Sequence, residues 1–349
     1  MVTGPAAAPQ QPPQQPRQQV PRRRSGGRFV IGAFVVAAVA IAGTAGTLIA
    51  ARSTVDAVQR VPDVSSVLSP AGGAVENYLL VGSDSRANSD PTSPDFGGIG
   101  TEAEVTGARS DTIMVLRRDT ATGEAALLSI PRDLWVDIPG RGNSRINSAY
   151  NDGPSTLVQT VQTALGIPVH HYVEVDFNGF KSLVDAIGGV ELCFMFPTRD
   201  INTGLNVPEG GCFMFEGEQA LAYARSRKYE ELRDGEWRMD GTADLGRTKR
   251  QQDFVNRAVQ AALAEVERNP FRAGEVIQSA TGSVRIDDDL DVFRAVSSLR
   301  TAMSGGLATW SLPVYGDTID GNAVLLLADG AEEVLTFFRG QGPAPATPS

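Results

Sequence analysis

The chain of 349 residues is short of the side chains that most enzyme chemistry draws on. It has two cysteines, Cys193 and Cys212, and two adjacent histidines, His170 and His171. A structural zinc site would need all four, and neighbouring histidines lack the usual ligand spacing, so the inventory argues against zinc. No G-x-S-x-G motif is present, which speaks against acyl transfer by a nucleophile elbow. There is no Gly-rich phosphate loop ending in Lys, so an ATP-type P-loop is not expected. Lysine itself is scarce: of 31 basic residues only Lys181, Lys228 and Lys249 are Lys, and contacts to anions fall to arginine.

What is present reads as a globular protein, with 42% hydrophobic and 21% charged residues. The net charge of −10 argues against non-specific coating of nucleic acid, and no nucleic-acid partner is expected. That sum hides an asymmetry. Residues 1–28 carry five Arg and no acid, which leaves 26 basic against 41 acidic residues, or −15, for the remainder. Rich in Pro, Gln and Ala, residues 1–28 read as a disordered tail. Residues 29–51 then run for 23 positions without a charge, between Arg28 and Arg52. About 20 apolar residues span a bilayer, and the Arg-rich flank keeps the tail cytoplasmic and sends the body outside. The expectation is a single-pass cell-membrane anchor; the alternatives are a cleaved signal peptide or a buried helix.

Residues 52–72 read as a linker, 73–340 as one α/β domain, and 341–349 as a loose tail. Strands are expected at Tyr78–Val81, Thr112–Arg117, Ala125–Ile130, Leu221–Arg227 and Ala308–Pro313, with a hairpin turn over Asp119–Gly123. Helices are expected over Pro154–Leu165, Phe177–Ile187, Gln251–Val266 and Gly330–Phe338.

Five clusters carry the chemistry. Asp84 and Arg86 follow the first buried strand, where open α/β sheets place ligands. Arg109 and Asp111 precede the next strand. Neighbouring strands would bring the two Asp together, and a divalent cation with oxygen ligands, Mg²⁺ with Mn²⁺ as substitute, would relieve their repulsion. The alternative is that each caps a turn. Arg132 and Asp133 follow a third strand, as a site pair or a local salt bridge. Arg225 and Arg227 share a face if Leu221–Arg227 is a strand, and arginine forks match phosphate oxygens. Asp244, Arg247, Arg250 and Gln251 lead into the strongest helix. The alternative for the last two clusters is a solvated basic face. Together the clusters suit phosphoryl transfer on a polyanion. Cys193 and Cys212, 19 positions apart, are expected to pair outside the membrane, against the alternative of two buried thiols. The segment Lys228–Gly241 is either a flap or a solvated loop.

In this order the clusters resemble the LytR-CpsA-Psr family of bacterial cell-envelope proteins. The matching stretches are Asn77–Arg86, Arg109–Thr112, Ser129–Asp133, Arg145–Tyr150, Asp185–Glu191, Gly217–Arg227 and Asp244–Gln252. Each alone is weak, but seven in order are specific. The resemblance implies an α-β-α sandwich around a central mixed sheet, preceded by one transmembrane helix, with a long apolar pocket for a polyprenyl chain. It implies transfer of a glycopolymer phosphate from a polyprenyl-pyrophosphate carrier to a muramyl 6-hydroxyl of peptidoglycan; in mycolate-bearing relatives the polymer is arabinogalactan. Carried over residue by residue, Asp84 and Asp111 would hold Mg²⁺. Arg109, Arg132, Arg225, Arg227 and Arg247 would bind the pyrophosphate, with Gln251 alongside. Asp244 would be a base or an orienter of arginine, and Arg86 and Arg250 would bind substrate. The cysteine pair and the Arg-Ser-Arg-Lys-Tyr-Glu run resemble actinobacterial members. The rival readings are a polyprenyl-pyrophosphate hydrolase and a non-enzymatic lipid-glycan scaffold.

Overall fold

Near-continuous apolar runs such as Tyr78–Val81, Ile113–Leu116 and Ala126–Leu128 dictate a sheet covered on both faces. In the computed structural model, which describes residues 58–83, 110–240, 243–268, 284–291 and 307–346, the chain begins with β1 (Gln59–Arg60) and the short helix α1 (Pro62–Ser65). Next come β2 (Val75–Ser83), β3 (Ser110–Asp119) and β4 (Ala125–Ile130), then the ribbon β5 (Trp135–Ile138) and β6 (Gly142–Arg145). Helix α2 (Pro154–Leu165), β7 (His171–Val175), α3 (Phe177–Ala186), β8 (Val190–Phe194), β9 (Thr198–Asp200), β10 (Leu205–Val207) and β11 (Gly211–Phe215) follow. Then come α4 (Gly217–Arg225), β12 (Glu230–Arg233), β13 (Glu236–Met239) and the long α5 (Ala243–Arg268). Strands β14 (Val284–Ile286), β15 (Ala308–Ser311), β16 (Val314–Ile319) and β17 (Asn322–Leu327) precede α6 (Ala331–Phe338).

The central sheet has the order β1-β14-β7-β2-β3-β4-β15 and is mixed: β7 runs parallel to β2, and β3 is antiparallel to both β2 and β4. Successive side chains of a strand point to opposite faces. Accordingly Tyr78, Met114, Leu116 and Leu127 join one apolar layer with Val184, Tyr223, Phe254 and Ala258 from α3, α4 and α5. Leu79, Val81, Ile113, Val115 and Leu128 join the other, with Leu157 and Val161 of α2 and Phe338 of α6. This is the layered α/β arrangement around a mixed sheet that the family resemblance implied.

Helix α4 corrects the strand expected over Leu221–Arg227. Large and small residues alternate there by chance. Residues Ala220 to Ala224 are all buried, so burial shows no period that would separate helix from strand. Alanine and leucine favour a helix, and Glu218 in the first turn and Arg225 in the last complement its dipole. Gly217 lets α4 meet α3: a Cβ there would stand 2.0 Å from the carbonyl oxygen of Lys181. The Gly217 amide donates to Asp185 Oδ1 at 2.7 Å, which satisfies a donor of the first turn.

Two further expectations shift. Helix α5 begins at Ala243 rather than Gln251, so Arg247, Arg250 and Gln251 sit beyond its first turn. Part of the stretch read as a linker is built into the fold, because Gln59–Arg60 pairs with β14 and Val58, Val61 and Val64 are buried. The segment after Lys228 is a hairpin, β12–β13, in a small sheet of order β10-β9-β12-β13. The hydrophobic run 29–51 lies outside the described residues. Among those described, no helix is long and apolar enough to cross a membrane.

Candidate active site at the end of the central sheet

Strand directions bring the chain positions next to several of the predicted residues to one end of the sheet. Register pairs Gly82 with Thr112 and with Val175, and Ile113 with Ile130. The ends of β2, β4 and β7 and the start of β3 therefore lie side by side. Asp84 follows β2, Asp111 opens β3, Arg132 follows β4, and Asp176 and Phe177 follow β7. Between β2 and β3 the register jumps: Gly82 faces Thr112 but Ser83 faces Ser110, so Asp111 is the bulged residue. Bulges recur beside active sites because they re-aim one residue of a strand. Asp84, Arg86 and Arg109 lie outside the described residues, as do the side chains of Asp111 and Asp244.

The helices close on this end through polar contacts. Gln251 Nε2 donates to Thr112 Oγ1 at 3.1 Å and to the Ala224 carbonyl at 3.2 Å, tying α5 to the start of β3 and to the last turn of α4. Arg225 ends α4, and its guanidinium stands 4.7 Å from the ring centre of Phe177, above the end of β7. Arg247 lies one turn before Gln251 on α5 and is buried. Thus Arg225, Arg247 and Gln251 share the sheet end with Arg132. Arg132 pairs with Asp133 at 3.4 Å, and Arg145 reaches Asp133 at 3.7 Å. Arg250, expected to bind substrate, makes three contacts within the protein. It donates to the Ser226 carbonyl at 2.7 Å and to Asp240 at 3.1 Å, and stacks 4.6 Å over Tyr229.

Several residues of this end were not singled out from sequence. Asp200, fully buried in β9, accepts hydrogen bonds from Ser226 Oγ and from the amides of Arg227 and Lys228. Burial raises its pKa, but the donors of Ser226, Lys228 and Asn202 outweigh it and hold the carboxyl below its usual range. Nothing in a Thr-Arg-Asp triplet announces that role. Asp176 caps α3 by accepting from Gly179 N at 2.6 Å. An Asp before a helix is a legible N-cap signal. Burial, assisted by nearby Glu174, pushes its carboxyl above the ordinary value. Beneath it Glu174 accepts from the Tyr150 and Tyr172 hydroxyls at 2.7 and 2.8 Å and pairs with Arg285 at 3.2 Å. Gln252, next to Gln251, instead binds Ser129 Oγ, the Trp310 carbonyl and Ser311 Oγ, and so locks β4 to β15.

Cys193 and Cys212 are bonded across β8 and β11. Among the described residues one group of three metal-ligand types is found, Glu191 with these cysteines, and the disulfide consumes both sulfurs. His170 Nδ1 accepts from the Asn77 amide at the far end of β2, a structural role.

The profile of the LytR_cpsA_psr family matches residues 47–336. The chain is 35% identical over 281 residues to the probable cell wall biosynthesis protein LcpB of Corynebacterium glutamicum, covering 79% of this chain and 64% of that protein. It is 31% identical over 228 residues to the polyisoprenyl-teichoic acid–peptidoglycan teichoic acid transferase TagU of Oceanobacillus iheyensis, covering 63% and 67%. Among solved structures it is similar to a LytR-Csp2A-Psr enzyme from Actinomyces oris, with TM-score 0.61 and 25% identity over 80% of this chain and 95% of that one.

Proposed function

The chain belongs to the LytR-CpsA-Psr family, and from that premise we propose that it is a membrane-anchored, extracytoplasmic phosphotransferase. It would move a glycopolymer phosphate from a polyprenyl-pyrophosphate carrier to a peptidoglycan hydroxyl. The observation that carries the reading is the Gln251 amide bridging Thr112 and Ala224, which joins the arginine-bearing end of α4 to the sheet end where Asp84 and Asp111 stand in sequence.

The chemistry follows from charge. The acceptor oxygen forms a bond to the glycan-linked phosphorus, the phosphoanhydride bond breaks, and polyprenyl phosphate departs with the electron pair. Guanidiniums of Arg132, Arg225, Arg227 and Arg247 would neutralise the donor phosphates and the charge growing on the leaving group. Arg109 would join them. Fixed forks suit this because they meet phosphate oxygens in pairs. Asp84 and Asp111, one just past the end of β2 in sequence and one at the start of β3, would offer an oxygen-only donor set of the kind that suits Mg²⁺ or Mn²⁺, and such an ion would supply further charge neutralisation. Asp244 stands one turn before Arg247 on α5, suited to orienting an arginine or taking the acceptor proton. The lipid chain would run along the face of the sheet that carries helices α3 to α5, whose core residues are apolar. The run 29–51 would anchor the chain, its basic flank in the cytoplasm.

The test incubates the full chain with a polyprenyl-pyrophosphate glycan, with and without acceptor glycan. Transfer predicts donor consumption that depends on acceptor and ends in a phosphodiester. Equal consumption without acceptor identifies a hydrolase, and tight binding with no turnover identifies a scaffold.

A further inference from the structure

The two arginines that flank Ser226 are presented by a turn, not by a regular element. Helix α4 ends at Arg225, and the Ser226 amide closes the last turn on the Tyr223 carbonyl at 3.2 Å. Beyond it, three donors converge on one oxygen. Asp200 Oδ2 accepts from Ser226 Oγ at 2.7 Å, from the Arg227 amide at 3.0 Å and from the Lys228 amide at 2.9 Å. Its other oxygen accepts from the Asn202 amide at 2.9 Å, which fixes the carboxylate in its own β9–β10 turn. From the opposite side Arg250 holds the Ser226 carbonyl at 2.7 Å. The turn is thus gripped at its donors by a carboxylate and at its acceptor by a guanidinium. Asp200 is fully buried, so water does not compete for these bonds. Charge-assisted bonds to an anion are about twice as strong as neutral ones.

We propose that Asp200 is a positioning residue for the phosphoryl transfer: its carboxylate sets the backbone of Ser226, Arg227 and Lys228 so that Arg225 and Arg227 face the donor pyrophosphate together. The proposal rests on the phosphotransfer reading and names what holds that site in shape. Bonds to a buried carboxylate do not themselves require a site. What distinguishes this one is where they land, on Ser226, Arg227 and Lys228, the three residues that directly follow Arg225 at the sheet end. Guanidiniums neutralise a transition state only when held in its geometry beforehand, and a misplacement of about 1 Å can lower the rate about 100-fold. The sequence separates Asp200 from Arg227 by 27 positions, and the pairing of Cys193 with Cys212 closes the loop that carries Asp200.

Asp200→Asn keeps the shape and removes the charge. In the full chain it should lower kcat about 10- to 100-fold while the donor KM changes less than kcat does. The loss should shrink when Arg227 is already alanine, because the two changes remove one device. Equal losses in the wild-type and Arg227→Ala backgrounds, or full kcat in folded Asp200→Asn, overturn the proposal. Hydrogen exchange supplies a readout independent of activity: the Arg227 and Lys228 amides should exchange faster in Asp200→Asn, while those of β2 stay unchanged. Unchanged exchange at Arg227 and Lys228 overturns the proposal as well. If Asp200→Asn does not fold, Ser226→Ala removes one of the three bonds and should lower kcat about 3-fold; full kcat there overturns it. A wild-type chain that makes no phosphodiester defeats the phosphotransfer reading instead, and exchange then decides whether Asp200 holds the turn.

Discussion

The side-chain amide of Gln251 meets the hydroxyl of Thr112 at 3.1 Å, although 139 positions separate them in the chain. The same nitrogen reaches Ala224, so one amide joins the start of β3, the end of α4 and the body of α5. Its neighbour Gln252 makes three bonds of its own, all into the seam between β4 and β15.

These adjacent glutamines should therefore separate function from stability. Gln251→Ala is expected to lower transfer activity at least about 10-fold with a small change in melting temperature. Gln252→Ala strands the buried hydroxyl of Ser129, leaves the half-buried hydroxyl of Ser311 without this partner, and should cost about 2 kcal/mol of stability. Kinetics and thermal melts of both variants, side by side, check the contrast.

Arg225 has its guanidinium over Phe177, and a planar cation stacks where an ammonium does not. Arg225→Ala and Arg227→Ala should each reduce activity about 100-fold without unfolding the domain. Arg225→Lys should recover little of it, since lysine keeps the charge but loses the fork. Full activity in both alanine variants would remove these residues from the site.

Crossing of α3 and α4 depends on a missing side chain. Gly217→Ala places a methyl group against the Lys181 backbone and should destabilise by about 3 kcal/mol, or prevent folding. Urea denaturation of the full chain measures it, and an unchanged midpoint would contradict the packing.

Stability should also fall on mild acidification. Burial, aided by the adjacent His171, lowers the pKa of His170 from its ordinary 6.5, and its Nδ1 must stay unprotonated to accept from Asn77. The folded state then binds this proton less readily than the unfolded state. The contribution of His170 is complete above pH 6.5 and is lost as pH falls from there through the lowered folded value. Melting temperatures measured from pH 8 to pH 5 should decline through this window, and His170→Asn should flatten the decline. A slope unchanged by the substitution would assign it to other groups.

Much of the fold could be read from the chain because burial on both faces leaves strong signals. The bounds of α2 and β4 follow from Pro154, Gly166 and a run of apolar residues. Helix α4 was misread because every residue from Ala220 to Ala224 is buried, which erases the period that distinguishes a helix from a strand. The arginines stood out as clusters in an acidic body. Asp200, Phe177 and Gln252 did not, because their roles arise from contacts across the fold. Arg250 shows the converse: it sits in a conspicuous basic cluster, yet it clamps Ser226 and Asp240.

The central claim is that the phosphate leaves its lipid carrier for a sugar hydroxyl. The most direct measurement runs the reaction in oxygen-18-labelled water with donor, acceptor glycan and Mg²⁺, and weighs the phosphorylated products. Transfer predicts a phosphodiester on the acceptor that carries no label. A glycan phosphate bearing oxygen-18, with the acceptor unmodified, would show that water is the true nucleophile and would contradict the account.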